Sequence, residues 1–166
     1  MYKVAKFEKI SEERYNEFRK NVVELDVINY EDIKLPTRAT RDSAGYDFYI
    51  TQDIVLEPGR TVLIPTFIRC HFYLDGWFLM LTPKSGLGFK YQLSLANTVG
   101  IVDADYYFSD NEGNIMIKLV NRGDTAITLK AGDKFAQGIF LPYGITIDDD
   151  EVEKEVRNGG FGSTGE

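Results

Sequence analysis

Short apolar runs separated by turn residues fill the chain from Leu35 onward, and this spacing restricts the fold more than any other feature. Tyr46, Phe48 and Ile50 recur at every second position, as in a strand with two different faces. Turn residues precede similar runs at 61–64, 77–81, 115–120, 126–129 and 135–141. No strand–helix–strand alternation accompanies them. The sequence therefore predicts a mainly β protein, an antiparallel jelly roll or distorted barrel.

One helix is expected before these strands. Residues 2–8 are typical of a first strand, and Ser11 can cap a helix whose first turn carries two glutamates. Tyr15, Phe18, Val22 and Leu25 then recur at helical spacing. We expect a single domain over residues 1–166, with 1–34 as an N-terminal strand and helix extension and 157–166 as a mobile, glycine-rich C-terminal tail.

Charge and cysteine content exclude several classes of protein. The formal net charge of −7 disfavours nonspecific binding to nucleic acid or anionic membrane, which needs clustered Lys and Arg. Cys70 is the single cysteine, which excludes an internal disulfide framework and is compatible with a reducing compartment. No apolar run approaches membrane-spanning length, and residues 1–6 contain no signal-like apolar segment. A cytoplasmic location is expected.

Residues 97–106 hold the strongest candidate for a site. An apolar run delivers Asp103, Asp105 and Tyr106 within four positions, before a polar loop and the apolar residues 115–119. This pattern predicts a β-hairpin with an acid and an aromatic ring at its mouth. Strand alternation alone would send Asp103 and Tyr106 to opposite faces, so they share a ligand only if a turn intervenes. The alternative is a solvated turn.

Three further patterns are rejected. The glycines of residues 160–165 match a dinucleotide fingerprint, but the chain ends where that motif needs a helix. A calcium loop starting at Asp103 would have Phe108 where its sharp turn needs glycine. Cys70 and His71 are neighbours on an expected strand, so their side chains should point to opposite faces and have structural roles.

Two glycine-containing stretches could bind an anion. Residues 83–88 end an apolar strand with a lysine, a serine and a backbone turn whose amides could cradle a phosphate. Residues 132–137 are by themselves a hairpin turn that enters a strand. Taken alone, each stretch is better explained as a plain turn.

The order of the motifs is more informative than any one of them. Five stretches closely resemble, in the same order, the five motifs of the trimeric dUTPases: residues 44–47, 83–86, 100–106, 132–137 and 160–165. The resemblance covers the chain from about Leu35 to its end. It implies jelly-roll subunits, a homotrimer whose active sites are shared between subunits, hydrolysis of dUTP to dUMP and pyrophosphate, and magnesium (Mg²⁺) on the triphosphate.

By this resemblance, Asp103 is the general base that orients and deprotonates the attacking water. Tyr106 packs against the deoxyribose, where a 2′-hydroxyl would clash. The residues that hold uracil are Asn97, Gly100, Ile101, Val102 and Met116. Those around the phosphates are Lys84, Ser85, Gly86 and Gln137. Asp47 lies near the metal and contacts it through water, and the closing tail contributes Arg157, Phe161, Gly162, Ser163 and Thr164.

The chain departs from the family pattern in three places. Lys84 and Lys134 stand where arginine is usual, which keeps the charge but loses the bidentate fork. The loop 107–112 is several residues longer, and the spacing from Arg157 to Phe161 is shorter by one.

Two alternatives stay open. A dCTP deaminase of the same superfamily would need a glutamate in the base pocket. A regulatory protein would use the helix 15–25 or the loop 107–112 to bind a protein partner.

Overall fold

The computed structural model describes residues 2–21, 26–149 and 153–154. Its strands are β1 (Ala5–Lys9), β2 (Thr37–Arg38), β3 (Tyr46–Tyr49), β4 (Ile54–Leu56), β5 (Thr61–Pro65), β6 (Ile68–Phe72), β7 (Trp77–Pro83), β8 (Leu93–Leu95), β9 (Gly100–Val102), β10 (Met116–Asn121), β11 (Ile127–Leu129) and β12 (Lys134–Pro142). The α-helices are α1 (Glu12–Asn21) and α2 (Ser85–Tyr91). Short 3₁₀ helices span Tyr30–Asp32 and Ala104–Phe108.

Antiparallel pairing joins strands that are distant in the chain. The largest sheet has five strands in the order β2-β3-β12-β7-β9, and a second has three in the order β5-β10-β8. Two-stranded pairs, β1 with β6 and β11 with β4, complete the set. This confirms the predicted mainly β, jelly-roll-like architecture, with β12 between β3 and β7 in the middle of the large sheet.

The N-terminal strand and helix pack into the same core as the later strands. Phe48, Phe67 and Phe135 are fully buried. Phe7 of β1 meets Phe48 edge-on with ring centroids 5.6 Å apart, and Tyr15 of α1 meets Phe67 at 4.9 Å. Aromatic contacts of this kind add to the stabilisation that burial alone provides. Residues 5–21 are therefore part of the folded body.

The sequence predicted the first helix and its cap correctly. The Ser11 hydroxyl accepts a hydrogen bond from Arg14 N at 3.1 Å, as an N-cap does. The described part of the helix runs to Asn21, and the predicted Val22 and Leu25 positions lie outside the described residues. No helix in the described part of the chain is long and apolar enough to span a bilayer.

Two local predictions were wrong. Residues 85–91 form α2 instead of a plain turn. The expected hairpin between residues 97–106 and 115–119 does not form, because β9 pairs with β7 in the large sheet whereas β10 pairs with β5 and β8 in the other. The two arms of the expected hairpin therefore belong to different sheets.

Candidate active site

Asp47 is the most buried charged side chain in the candidate site, and two lysines hold it. Its side chain is 2% exposed, with Lys84 Nζ 2.5 Å from Oδ1 and Lys134 Nζ 2.8 Å from Oδ2. Both lysine side chains remain partly exposed, at 31% and 42%. The result is a buried carboxylate covered by the ammonium groups of two partly exposed lysines.

The strand register explains this arrangement. In the large sheet, Asp47 of β3 lies opposite Gln137 of β12, which lies opposite Thr82 of β7. Directly opposed side chains share one face of a sheet. Lys134 lies opposite Tyr49, two residues from Asp47 on the same face, and a register shift follows it. Lys84 comes directly after the end of β7.

Close packing accounts for a glycine in the first motif. A Cβ atom on Gly45 would lie 2.6 Å from the Oε1 atom of Gln137, so a larger residue would displace that amide. In the motif of residues 44–47, Gly45 therefore leaves room for the Gln137 side chain, and Asp47 supplies the carboxylate.

The two ammonium groups also control the ionisation of Asp47. Burial raises the pKa of the Asp47 carboxyl, but the hydrogen bonds and charges of Lys134 and Lys84 outweigh it, and the net pKa is lowered. The same contact raises the pKa of Lys134. Asp47 and Lys134 are therefore charged together at neutral pH.

Helix α2 presents its first turn beside Lys84. Ser85 and Gly86 are exposed, and Lys84 precedes the helix in an extended conformation. The first N–H groups of a helix have no partner within the helix and can bind an acceptor. Lys84 N donates to Phe135 O at 2.9 Å, which ties this turn to β12. The residues predicted to surround the phosphates therefore lie at one end of the large sheet; we call them the phosphate cradle (Lys84, Ser85, Gly86 and Gln137).

The turn that the sequence analysis required after Asp103 is a 3₁₀ helix. Asp103 precedes it, and Tyr106 N donates to Asp103 O at 3.2 Å. Tyr106 is 8% exposed, and its hydroxyl donates to Asn114 O at 2.8 Å. Asp103 and Tyr106 are thus held in one compact turn.

The predicted uracil-binding residues lie near this turn. Val102 is buried, and Ile101, next to it in β9, is 52% exposed. Ala96 N donates to Lys118 O at 2.8 Å, so Asn97 lies alongside the first residues of β10, where Met116 is located. Gly100 pairs with Leu81, and a Cβ on Gly100 would lie 3.1 Å from the Leu81 Cβ.

Within one chain, Asp103 and the phosphate cradle are far apart. Val102 pairs with Leu79, so Asp103 follows at the level of Phe78, near the start of β7. Lys84 follows the end of the same strand. At about 3.3 Å per residue, the two ends are separated by roughly 20 Å. The structure therefore brings together Asp47, Lys84, Lys134 and Gln137 but leaves Asp103 at the opposite end of β7.

The described residues do not fit a protein-held metal ion. No group of three or more His, Cys, Asp or Glu side chains within residues 2–21, 26–149 and 153–154 is arranged to hold one. Both oxygens of Asp47, the predicted metal-facing residue, contact ammonium groups instead. The predicted closing-tail residues, Arg157, Phe161, Gly162, Ser163 and Thr164, lie outside the described residues.

Comparison with known proteins decides the family. The dUTPase family model matches residues 31–165. The chain belongs to the dUTPase family. The deoxyuridine 5'-triphosphate nucleotidohydrolase of Lactococcus lactis subsp. lactis is 38% identical over 134 residues, covering 80% of this chain and 89% of the relative. That of Ralstonia nicotianae is 41% identical over 137 residues, covering 80% and 89%.

Solved dUTPase structures share the fold. The dUTPase of Streptococcus mutans superposes with a TM-score of 0.66 at 32% identity, covering 84% of this chain and 97% of that chain. A mutant dUTPase from Staphylococcus bacteriophage 80alpha, solved with dUpNHpp, gives a TM-score of 0.65 at 18% identity, covering 98% of this chain and 100% of that chain. The second likeness is one of fold alone.

Sequence reasoning missed one contact in this candidate site. Lys134 was noted as a replacement for arginine, but its pairing with Asp47 was not predicted. The available signal was its position: a cation near the start of β12 can reach a carboxylate two residues along the neighbouring strand.

Proposed function

We infer that the protein is a dUTP diphosphatase, which converts dUTP and water to dUMP and pyrophosphate. The observation that carries this inference is the family match over residues 31–165, a span that includes all five motifs. Relatives that are 38% and 41% identical are deoxyuridine 5'-triphosphate nucleotidohydrolases. The reaction limits uracil incorporation into DNA and supplies dUMP for dTMP synthesis.

We propose Asp103 as the general base. Its carboxylate orients a water molecule, accepts its proton and directs the oxygen at the α-phosphorus, in line with the leaving pyrophosphate. A positioned base typically contributes about 10²- to 10⁴-fold to the rate. No covalent enzyme intermediate is needed, because phosphoryl transfer is catalysed by positioning and charge neutralisation.

Specificity is proposed to come from the turn around Tyr106 and the residues before it. The Tyr106 ring would pack against the deoxyribose. Its hydroxyl donates to Asn114 O and accepts from Asn111 Nδ2, which holds the ring in position. Asn97, Gly100, Ile101, Val102 and Met116 would hold uracil through backbone groups. Cytosine presents the opposite donor pattern and would leave buried polar groups unpaired, at about 1–3 kcal/mol each.

The phosphate cradle is proposed to bind the triphosphate. The exposed Ser85 hydroxyl, the first amides of α2 and the Lys84 ammonium supply donors to phosphate oxygens. Gln137 adds an amide from β12. In the folded chain, Lys84 is already paired with Asp47, so it is held in place before a ligand arrives.

A homotrimer with shared sites is proposed from the separation within one chain. A distance of roughly 20 Å between Asp103 and the cradle is too long for one triphosphate bound to both groups of the same chain. A cradle from one subunit and the Asp103 turn from another can meet in a cyclic assembly. The C-terminal tail is proposed to close over the nucleotide, with the Phe161 ring stacked on uracil. The tail residues proposed to contact the ligand are Arg157, Phe161, Gly162, Ser163 and Thr164.

Magnesium is proposed to arrive as part of the substrate. Mg²⁺ dehydrates reluctantly and takes direct ligands from phosphates, and the described residues supply no cage for it. The proposed contact between the ion and this chain is through water at Asp47. A cytoplasmic location is also proposed, since Cys70 is the single cysteine.

An assay across nucleotides tests the function. Pyrophosphate release is measured with the magnesium complexes of dUTP, dCTP, dTTP and UTP. The proposal expects release from dUTP alone at an appreciable rate. Ammonia release from dCTP would instead identify a deaminase, the alternative that the family comparisons do not favour.

A second role in binding a protein partner is favoured by one surface. Phe108, in the loop 107–112, is 74% exposed, and Tyr73, whose ring also contacts that of His71, is 59% exposed. Large exposed aromatic groups mark contact sites more often than scattered single apolar residues do. Pull-down with the purified protein, with and without a nonhydrolysable dUTP analogue, tests this role: a partner retained equally by Phe108→Ser would contradict it.

A further inference from the structure

The N-terminal extension, which includes β1 and α1, contacts the loop 107–112. The family match begins at residue 31, after β1 and α1. The loop 107–112 continues from the 3₁₀ helix Ala104–Phe108 that follows Asp103. The contacts between them concern residues 103–114, which we call the Asp103 segment.

The N-cap of α1 is bound by a carboxylate from that segment. Ser11 N donates to Glu112 Oε2 at 2.8 Å, and the Ser11 hydroxyl donates to Glu112 Oε1 at 2.7 Å. The same hydroxyl accepts from Arg14 N at 3.1 Å, so it links the helix and the carboxylate. Arg14 also donates to the carbonyl of Asp110.

The ionisation of Glu112 fits this role. Burial raises the pKa of the Glu112 carboxyl, but the hydrogen bonds from Ser11 outweigh it, and the net pKa is lowered. Glu112 has a φ of 57°, a left-handed conformation that is unfavourable for a residue with a side chain. Strain of this kind persists where surrounding contacts fix the residue. The Ser11 contacts are such a restraint.

Strand β1 adds a second connection. The Tyr107 hydroxyl donates to Glu8 Oε2 at 2.8 Å. On β6, which pairs with β1, the Arg69 guanidinium lies 4.5 Å from the centroid of the Tyr107 ring, and the His71 ring stacks on it at 4.5 Å. Tyr107 is thus fixed from three sides.

Hydrogen bonds inside the loop carry these restraints to Tyr106. Ser109 N and its hydroxyl both donate to Tyr106 O, at 3.1 and 2.7 Å. Asn111 Nδ2 donates to the Tyr106 hydroxyl at 2.8 Å. Gly113 packs closely against this turn, since a Cβ there would lie 2.8 Å from Tyr107 Cα. A displacement of Glu112 would therefore move Tyr106 and the turn that holds Asp103.

We propose that the N-terminal extension braces the Asp103 segment, with Glu112 as a positioning residue whose contact with Ser11 sets the place of Asp103 in the reaction. This proposal rests on the roles given above to Asp103 and Tyr106. Misplacement of a reacting group by about 1 Å can lower a rate by about a hundredfold. The brace therefore acts on kcat more than on KM.

A double-mutant cycle of Ser11 and Glu112 tests the brace. Ser11→Asp keeps a good N-cap for α1 but puts a carboxylate against Glu112. Glu112→Gln alone keeps both bonds, because its amide can accept from Ser11 N and donate to the hydroxyl. In the double variant, the amide introduced at position 112 donates to the carboxylate introduced at position 11. We expect Ser11→Asp to lower kcat about tenfold or more, Glu112→Gln to change it little, and the double variant to recover most of it.

Hydrogen exchange gives a readout that does not depend on activity. The amides of Ser109, Glu112 and Gly113 are hydrogen-bonded within the loop, so their exchange should be faster in Ser11→Asp and return to normal in the double variant. Glu112→Ala removes the same hydrogen bonds by changing the loop residue. It is used in the comparison if Ser11→Asp folds poorly. Glu13→Gln, an exposed change in the same turn of α1, is the control.

The outcomes separate the brace from the assigned reaction. An unchanged kcat and unchanged exchange in both Ser11→Asp and Glu112→Ala would overturn the brace. The brace would also be overturned if Ser11→Asp lowers kcat and the folded double variant with Glu112→Gln does not recover it. If the unaltered protein does not hydrolyse dUTP, the proposed function fails, and the exchange rates still decide whether the brace exists.

Discussion

Lys84 Nζ lies 2.5 Å from Oδ1 of the buried Asp47, so a cation of the phosphate cradle is anchored from beneath by a carboxylate. Lys134 occupies the other oxygen at 2.8 Å. An ammonium group has a single point of charge on a flexible stem, whereas the guanidinium of arginine is a planar fork. The shared carboxylate supplies the orientation that two lysines lack by themselves.

Removing this anchor should affect both stability and substrate binding. Asp47→Asn leaves two ammonium groups without their counter-charge, and we expect the free energy of unfolding to fall by about 1–3 kcal/mol. The loss is below that of a fully buried pair because both lysines can reach water. Urea denaturation measures it, and KM for dUTP should rise. Asp53→Asn, which breaks the exposed pair with Lys130, is the matched control and should change little.

The pKa of Asp47 predicts how stability depends on pH. This pKa is lower in the folded protein than its ordinary value of 3.8, so the folded state binds fewer protons than the unfolded state in that range. The contribution of Asp47 is therefore complete above pH 3.8 and is lost as pH falls through the lowered pKa. The stability difference between the unaltered protein and Asp47→Asn should shrink below pH 3.8. A difference that grows on acidification would contradict the ion-pair account.

The charge at position 84 should matter more than the exact side chain. Lys84→Ala removes a charge-assisted bond to phosphate, and we expect kcat/KM for dUTP to fall about 10- to 150-fold, the equivalent of about 1.5–3 kcal/mol. Lys84→Arg should retain most activity. Lys90→Ala, at the exposed end of α2, serves as the control. Equal rates for Lys84→Ala and the control would remove Lys84 from the cradle.

Local sequence patterns predicted the elements that are stabilised locally. Ser11 and the two glutamates after it specify the start of α1, and Pro58 and Gly59 specify the turn before β5, where Gly59 has a φ of 72°. Asp133 N donates to Lys130 O at 2.9 Å in the predicted turn before β12. In each case the residues that form the structure are within four positions of one another.

Contacts between distant residues could not be read from the same patterns. Helix α2 was missed because Gly86 and Gly88 favour a turn, and the helix instead depends on its position after β7. The hairpin prediction was wrong because β9 pairs with β7, about twenty residues earlier in the chain. The Glu112–Ser11 contact joins positions too far apart for any local signal.

The assignment of Asp103 makes a separate prediction. Asp103→Asn keeps the size of the side chain but cannot accept a proton, so we expect turnover to fall about 10²- to 10⁴-fold while nucleotide binding is retained. Single-turnover kinetics and titration with a nonhydrolysable dUTP analogue measure the two quantities. Asp105→Asn, two residues on and exposed, is the matched control. A rate near normal for Asp103→Asn would refute the base assignment.

The central claim is that Asp103 from one subunit acts on a phosphate held by another, and mixed trimers test it most directly. Asp103→Asn and Lys84→Ala chains, each poorly active alone, are unfolded together in equal amounts and refolded. Three quarters of randomly mixed trimers contain both chains, and each of these has one site of three in which both groups are intact. The account predicts recovery of about a quarter of the unaltered rate. If both groups acted within one chain, no mixture would exceed the activity of its parents, and that result would contradict the account.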